Sequence, residues 1–214
     1  MDITYLGHSS FKIRGKQTVV VTDPFSSTIG LTFPKHTAAD IVTVSHDHED
    51  HNAAAAIEGD PYIVKGPGEY EIKGIGIVGL GVYHDDEKGA KRGRSTIYRM
   101  EIDGMSIVHL GDLGHELSSA EVDSLDGVDI LLVPVGGTYT IGAATAAKMI
   151  TEIEPTIVIP MHYNCPDLDQ KAFGQLVGVD AFLKEMGKTE VSPQPKFVIT
   201  KDKLPEEMQV VVLQ

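Results

Sequence analysis

The chain has 214 residues, of which 42% are hydrophobic, so it is long enough to bury a core in a single domain spanning residues 1–214. Acidic residues outnumber basic ones by 31 to 18, and the formal charge of −13 argues against nucleic acid as a partner held by bulk charge. The N-terminus lacks a signal-peptide pattern and no apolar run reaches about 18 residues, so we expect a cytoplasmic protein with no membrane partner.

Short apolar runs bounded by Gly, Pro or Asp recur along the chain and predict strands. In chain order the predicted strands are 3–6, 11–13, 19–22, 41–44, 63–65, 75–83, 96–102, 105–110, 128–135, 156–159, 197–200 and 208–213. Helical periodicity between them predicts helices at 53–57, 118–125, 143–153 and 168–186. Strands and helices therefore interleave, and the segment from 128 to 159 is typical of a β-α-β unit with buried parallel strands.

Polar residues suited to chemistry follow several of these strands directly. Asp23 follows the strand at 19–22, and His46 lies just after the strand at 41–44. Asp112 and His162 come soon after two later strands. We therefore expect a rigid sheet to carry a site that is built from loops.

The most informative segment is the block from 46 to 51, which reads His-Asp-His-Glu-Asp-His. In an extended or turning segment His46 and His48 can share one ion, while Asp50 and His51 face a second. A solvated charged loop is the alternative, but a His-x-His followed by Asp-His is a ligand-rich pattern. Two divalent ions are expected, with zinc as the first expectation and manganese, iron or nickel also compatible with these ligands.

Two ions need more ligands than this block supplies. The later chain offers His84, His109, Asp112, His115 and His162. Gly111 precedes Asp112 and would let the backbone turn sharply to present the carboxylate. An isolated histidine is more often structural, but the first cluster favours a ligand role for some of these residues.

The sequence resembles the metallo-β-lactamase-fold superfamily, whose first cluster reads His-x-His-x-Asp-His. The resemblance is closest to the branch of metal-dependent hydrolases similar to ascorbate-6-phosphate lactonase and N-acyl-phosphatidylethanolamine phospholipase. It covers nearly the whole chain and rests on the block 46–51 together with the segments 5–11, 22–25, 82–84, 109–112, 136–140 and 160–164. It implies an α/β fold, a four-layer αββα sandwich with metals at one edge of two sheets.

The resemblance also implies a set of seven ligands. The expected ligands are His46, His48 and His84 for the first ion, Asp50, His51 and His162 for the second, and Asp112 between the ions. The third ligand of the first ion is open between His84 and His109, and we favour His84 because it lies well upstream of the Gly-Asp motif.

Three further residues are expected to line the pocket or to hold the ligands in place, namely His8, Asp23 and His109. Asp23 resembles the family's aspartate that braces the metal-binding loop, and such partners orient imidazole ligands. A plain turn residue before Pro24 is an equally good interpretation of Asp23.

These expectations lead to a metal-dependent hydrolase in which hydroxide on a two-ion centre attacks a small ester, lactone or phosphodiester. Asp50 and Asp112 are the expected catalytic residues, Asp50 by orienting the hydroxide and Asp112 by holding the pair of ions. A metal-binding or sensory module without turnover is one alternative. A metal-dependent nuclease or phosphodiesterase is another, which the acidic charge disfavours.

The expected partner is a small-molecule substrate. The basic stretch at 88–94 could bind an anionic group of that substrate, although a solvated loop is the simpler interpretation. A homo-oligomer is also compatible with the sequence, since symmetric dimers are the commonest assemblies.

Overall fold

The computed structural model describes residues 1–188 and 190–214, which form two sheets flanked by short helices. The first sheet has the order β12-β1-β2-β3-β4-β5. Its strands are β1 (Asp2–Gly7), β2 (Ser10–Arg14), β3 (Val19–Thr22), β4 (Ile41–Val44), β5 (Tyr62–Lys65) and β12 (Phe197–Val198). Pairing is antiparallel from β12 to β3 and parallel from β3 to β5.

The second sheet has the order β13-β11-β10-β9-β8-β7-β6. Its strands are β6 (Gly68–Ile72), β7 (Ile75–Tyr83), β8 (Arg94–Ile102), β9 (Met105–His109), β10 (Ile130–Pro134), β11 (Ile157–Met161) and β13 (Gln209–Val210). The strands from β13 to β9 run parallel, and those from β9 to β6 alternate in direction.

The α-helices are α1 (Ser119–Ser124), α2 (Ala143–Ile153), α3 (Gln170–Phe173) and α4 (Val179–Glu185). Helix α1 begins at a capping box in which the side chains of Ser118 and Glu121 each bind the other's backbone N–H. Helix α2 joins β10 to the parallel strand β11, which confirms the predicted β-α-β unit. Among the described residues, no helix is both long and apolar enough to cross a membrane.

The main core lies between the two sheets. Phe11 and Ile13 of the first sheet belong to the same fully buried cluster as Tyr98 and Met100 of the second. Burying one such side chain contributes roughly 1.5–3 kcal/mol, so this interface holds the sheets face to face. The predicted α/β sandwich is therefore confirmed.

Two outer layers cover the sheets unequally. Helices α2 and α4 pack Met149 and Phe182 against the outer face of the second sheet. Over the first sheet, Val42 and Val44 contact Ala54 and Ile57, which belong to a short irregular segment. This outer layer therefore consists of turns in place of long helices.

Two predicted helices differ in the structure. The helix predicted at 168–186 is split into α3 and α4, because α3 ends at Gly174 and α4 begins after Gly178. Glycine is unfavourable inside a helix and favourable at its ends, which explains the break. The helix predicted at 53–57 is a single 3-10 turn at Ala54–Ala56, too short to form the hydrogen-bonded ladder of an α-helix.

The strand β6 has no counterpart among the predicted strands. It lies at the edge of the second sheet, and Glu69 and Glu71 point to solvent. An edge strand needs few apolar residues, so the hydrophobic pattern that marks a central strand is weak here. Two predicted strands near the C-terminus, 197–200 and 208–213, shorten to β12 and β13.

Candidate metal centre

The block from 46 to 51 leaves the carboxyl end of β4, a strand whose four residues are all buried. The backbone N–H of His51 donates to the carbonyl of His48 at 2.9 Å, which folds the block into a turn. This turn buries His46 and His51 and leaves His48 exposed. The two sides of the block therefore face different parts of the same site.

The first group of candidate ligands contains His46, His48 and His84. One ring nitrogen of each lies within 4.8 Å of the others. The ring of His46 is 4.5 Å from that of His48 and 4.7 Å from that of His84, measured between centroids. His84 comes from the end of β7, so this group joins the two sheets.

The second group contains Asp50, His51 and His162, together with His8. Their ligand atoms again lie within 4.8 Å of one another. His8 Nε2 is 3.2 Å from Asp50 Oδ2, and the His8 and His162 rings are 4.1 Å apart. His8 thus lies closer to the site than a residue that only lines the pocket.

Asp112 lies between the two groups and faces both. Its Oδ1 is 3.3 Å from His51 Nε2, and its Oδ2 is 3.3 Å from the Nε2 atoms of both His84 and His162. His46 Nε2 is 3.9 Å from the same Oδ2. One buried carboxylate thus contacts the nitrogens of both groups.

Gly111 sets the position of Asp112, as the sequence indicates. Its φ of 54° lies in the left-handed region, and a Cβ there would be 2.8 Å from the Cβ of Ser45. His8 and His162 also adopt left-handed backbone, with φ of 54° and 52°. Such strained backbone is typical of functional sites, where the surrounding structure stabilises it.

Several buried polar atoms at this site have no hydrogen-bond partner. They include His46 Nε2, His51 Nε2, Asp112 Oδ1 and His162 Nε2. A buried polar atom without a partner costs about 1–3 kcal/mol, so a cluster of them requires compensation. Divalent metal ions bind imidazole nitrogens and carboxylate oxygens that face a common space. The donor set at this site therefore fits such ions.

The electrostatics of the site agree with metal binding. Burial, followed by the charge of His51, lowers the pKa of His46 to about 3, which keeps its ring in the neutral form that binds metals. Burial alone would lower the pKa of His51, but the charges of Asp112 and Asp50 outweigh it and raise that pKa well above its usual range. These carboxylates attract a proton for the same reason that they would attract a metal ion.

Asp23 lies beneath the block and holds it in place. Its Oδ2 accepts from His51 Nδ1 at 2.8 Å, and its Oδ1 accepts from the backbone N–H of Ser45 at 2.8 Å. The Ser45 hydroxyl is 2.5 Å from Asp23 Oδ2 and 2.9 Å from His46 Nδ1. Asp23 thus makes the contacts that a bracing residue requires, and it extends them to His46 through Ser45.

His109 is buried in a different environment from His84. Its Nε2 is 2.8 Å from the carbonyl oxygen of Ser9, and its Nδ1 accepts from the N–H of Gly111 at 3.1 Å. Both ring nitrogens of His109 are therefore engaged by the backbone, whereas His84 belongs to the first group of candidate ligands.

A cavity of about 280 Å³ opens beside the candidate ligands. It is lined by His48, Asp50, His84, Arg92, Asp112, Tyr139, Ala172 and Phe173. Sequence reasoning missed Phe173, because nothing in its local pattern separates a pocket aromatic from a core one. Tyr139 belongs to the segment 136–140 of the family resemblance, but that segment alone does not predict that its ring lines the cavity. Sequence reasoning also missed Ser45, although its place directly before His46 could have suggested a contact with the block.

Known proteins show similarity along the whole chain. A family model described as a beta-lactamase superfamily domain matches residues 2–162. A metal-dependent hydrolase from Thermococcus onnurineus is 30% identical, and the match covers 83% of this chain and 92% of the relative.

Solved structures agree with this family match. A candidate zinc-dependent hydrolase of the metallo-beta-lactamase superfamily from Thermotoga maritima is 33% identical, with a TM-score of 0.81, and the match covers 99% of this chain and 97% of that one. A metallo hydrolase from Ignicoccus hospitalis has a TM-score of 0.69 at 22% identity, covering 93% and 99% of the two chains, and shows similarity of fold alone.

Proposed function

This chain belongs to the beta-lactamase superfamily as a metal-dependent hydrolase, and we propose that it cleaves a small ester, lactone or phosphodiester at a two-ion centre. The observation that carries the proposal is the position of Asp112. Its carboxylate lies within 3.9 Å of four imidazole nitrogens that belong to two separate groups of candidate ligands. A single carboxylate so placed could help to hold two divalent ions, which would supply Lewis acidity to the site.

The proposed ligand set follows from these contacts. His46, His48 and His84 would hold the first ion, Asp50, His51 and His162 would hold the second, and Asp112 would help to hold both. His109 has no free ring nitrogen for a metal, which supports His84 as the third histidine of the first ion. Zinc is the proposed metal, since neutral imidazoles dominate the donor set.

Two bound ions would supply Lewis acidity and lower the pKa of water so that it can attack at neutral pH. The residues of the chain orient the reactants. Asp50 has 19% of its side chain exposed, so its carboxylate reaches the cavity and accepts a hydrogen bond from the attacking water. His8 Nε2, 3.2 Å from Asp50 Oδ2, holds that carboxylate in position.

Small substrates fit this site better than polymers. The cavity of about 280 Å³ lies at the lower limit for ligand pockets, which are roughly 300–1,000 Å³. The charge of −13 also disfavours the nuclease alternative, because it would repel the phosphate backbone. A module that binds metal without turnover remains the contrasting hypothesis, and the experiment below separates the two.

The test combines metal analysis with a substrate panel. Wild-type protein loaded with zinc or manganese is expected to bind two ions and to hydrolyse at least one phosphodiester, lactone or thioester. Asp50→Ala and His48→Ala are each expected to lower kcat/KM by about 100-fold or more, since Lewis-acid stabilisation is worth several kcal/mol. Both are also expected to bind less metal.

Asp47→Ala is a matched control, because Asp47 belongs to the same block but has 87% of its side chain exposed. It should keep both metal content and activity. Full activity in Asp50→Ala and His48→Ala would overturn the mechanism. Stoichiometric metal with no turnover on any substrate would favour the binding module.

A further inference from the structure

The loop between β7 and β8, together with the first residue of β8, carries four basic side chains next to the site, and one of these cations differs from the others. Lys88, Lys91 and Arg94 are exposed, whereas Arg92 is half-buried. Lys91 pairs with Glu87 at 2.7 Å, and the guanidinium of Arg94 lies 5.8 Å from the ring centre of Tyr83. Among the described residues, Arg92 is the only lysine or arginine that lines the cavity beside the candidate ligands.

The backbone of this loop is held by one buried carboxylate. Asp85 Oδ1 accepts from the N–H groups of Glu87 and Gly89, and Oδ2 accepts from those of Lys91 and Arg92, all at 2.7–2.9 Å. Four such bonds fix the loop at both ends of its turn. They place the Cα of Arg92 at the rim of the cavity without using its side chain.

The side chain of Arg92 is held separately. Its Nη2 donates to the carbonyl of Thr138 at 3.0 Å, and its guanidinium carbon lies 5.4 Å from the ring centre of Tyr139. A guanidinium has five N–H donors, and the Thr138 carbonyl occupies one of them. The remaining donors form a pre-oriented fork, which matches the oxygens of a carboxylate or phosphate.

Two aromatic rings line the same cavity as this fork. The rings of Tyr139 and Phe173 meet edge to face at 6.0 Å, and the Tyr139 hydroxyl donates to the carbonyl of Ala172 at 2.6 Å. Because this hydroxyl is already engaged, Tyr139 offers its ring to the cavity. The cavity therefore combines one cation, an apolar surface and the candidate metal ligands.

We propose that Arg92 binds an anionic group of the substrate, so that the enzyme acts on small organic anions that carry a carboxylate or phosphate beside an apolar portion. The inference rests on the proposed hydrolytic function, whose bond cleavage takes place at the candidate metal ligands that line the same cavity. The overall charge of −13 would repel such a substrate, so recognition must come from local contacts. Arg92 supplies a charged contact that an anionic substrate can use and a neutral substrate cannot.

The test measures binding and turnover separately in zinc-loaded protein. The probes are phenylacetate, phenylphosphonate and the neutral phenylacetamide, titrated calorimetrically. Arg92→Ala is expected to weaken binding of the two anions by about 10–100-fold, because hydrogen bonds to charged groups contribute that much to affinity. Binding of phenylacetamide should change less than about twofold by the same argument. A larger loss for phenylphosphonate than for phenylacetate would identify phosphate as the anion, and the reverse would identify carboxylate.

Arg94→Ala is the matched control, since it removes the same charge two residues further along the chain. It should leave binding of all three probes unchanged. Equal losses in Arg92→Ala and Arg94→Ala would overturn the proposal in favour of a general charge effect, and so would unchanged binding in Arg92→Ala.

Turnover distinguishes this proposal from the hydrolytic one. With any hydrolysed anionic ester, Arg92→Ala should raise KM by about 10–100-fold and leave kcat nearly unchanged, because Arg92 contacts the substrate away from the reacting bond. If no substrate is hydrolysed, the calorimetric result still stands, and only the proposed reaction fails. If hydrolysis is found but KM is unchanged in Arg92→Ala, the reaction stands and the role of Arg92 fails.

Discussion

At the residue scale, Asp23 connects Ser45, at the end of β4, to His51 in the block 46–51. It is fully buried, adopts a left-handed φ of 38°, and accepts hydrogen bonds from Ser45 and His51. Burial would raise the pKa of Asp23, but the charge of His109 and the hydrogen bond from His51 keep it below its usual value. An ionised Asp23 holds the proton on His51 Nδ1 and leaves Nε2 free to face the ions.

Asp23→Asn should weaken metal binding without removing a ligand. An amide can still accept from the Ser45 N–H, but where its NH₂ group faces His51 Nδ1 the ring loses its acceptor. We expect metal affinity to fall by about 10–100-fold, the usual cost of losing a residue that orients a ligand. Competition with a chelator of known affinity measures the change. Affinity equal to that of the wild type would contradict the bracing role.

In the basic stretch at 88–94, the sequence predicts that the cations are exposed, but it does not predict the position of Arg92. The composition favoured a solvated loop, and three of its four cations are indeed exposed. Arg92 departs from that interpretation because Asp85 accepts from the backbone N–H groups of Lys91 and Arg92, while the Thr138 carbonyl accepts from the Arg92 guanidinium. A hydrogen-bond pattern of this kind depends on where the loop closes, which the local sequence does not reveal.

At the element scale, the loop that follows β7 has a fixed shape although it contains no regular structure. Burial would raise the pKa of Asp85, but hydrogen bonds from four backbone N–H groups together outweigh it and lower this pKa to about 2. The carboxylate is therefore ionised at every pH at which the enzyme would work. Above about pH 4 its contribution to the loop is complete, and it is lost as the pH falls through about 2.

Asp85→Asn should loosen one half of this loop. The amide group would replace one carboxylate oxygen by NH₂, and that group cannot accept from the N–H groups of Lys91 and Arg92. We expect faster hydrogen exchange at these two amides, by about 10-fold for a lost bond of roughly 1 kcal/mol or slightly more. Mass spectrometry of exchanged peptides covering 85–94 measures it.

Asp86→Asn provides the comparison for that experiment, because Asp86 is the next residue and has 80% of its side chain exposed. Its exchange should match that of the wild type. Equal protection in Asp85→Asn and the wild type would show that the loop does not depend on the carboxylate.

The elements themselves were largely predictable, and the exceptions have physical causes. Buried central strands such as β10 and β11 carry continuous apolar runs, so the sequence marks them clearly. Edge strand β6 carries few apolar side chains, so its sequence does not predict a strand. Helical periodicity continued across Gly174 and Gly178 because apolar residues recur on both sides of the break, although Phe173 of α3 and Phe182 of α4 pack in different clusters.

At the scale of the whole molecule, the site lies where the two sheets meet. The block 46–51 comes from the first sheet, whereas His84, Asp112 and His162 come from the second. The sequence indicates that these residues follow strands. It favours His84 over His109 only through the family resemblance, because strand positions alone do not show which histidine faces the first group. That choice depends on the packing of the sheets, which brings Ser9 against His109.

Removing metal should therefore destabilise the whole fold. Ligands that bind only the folded state stabilise it by about 2.7 kcal/mol at a concentration 100 times Kd. For a chain of this size that free energy corresponds to a fall in Tm of about 5–11 °C after chelation. Calorimetry with and without a chelator measures the shift, and adding zinc should restore the original Tm. No change in Tm after verified metal removal would contradict a site that links the sheets.

Because the candidate ligands come from both sheets, the order in which the chain folds determines when they come together. A chain emerging in sequence presents the block 46–51 long before His162, so an early ion meets at most part of its coordination shell. Strand pairing between distant segments is the slow step of folding in proteins with such connectivity. The proposed centre would therefore be complete only after that step, because its ligands come from both sheets.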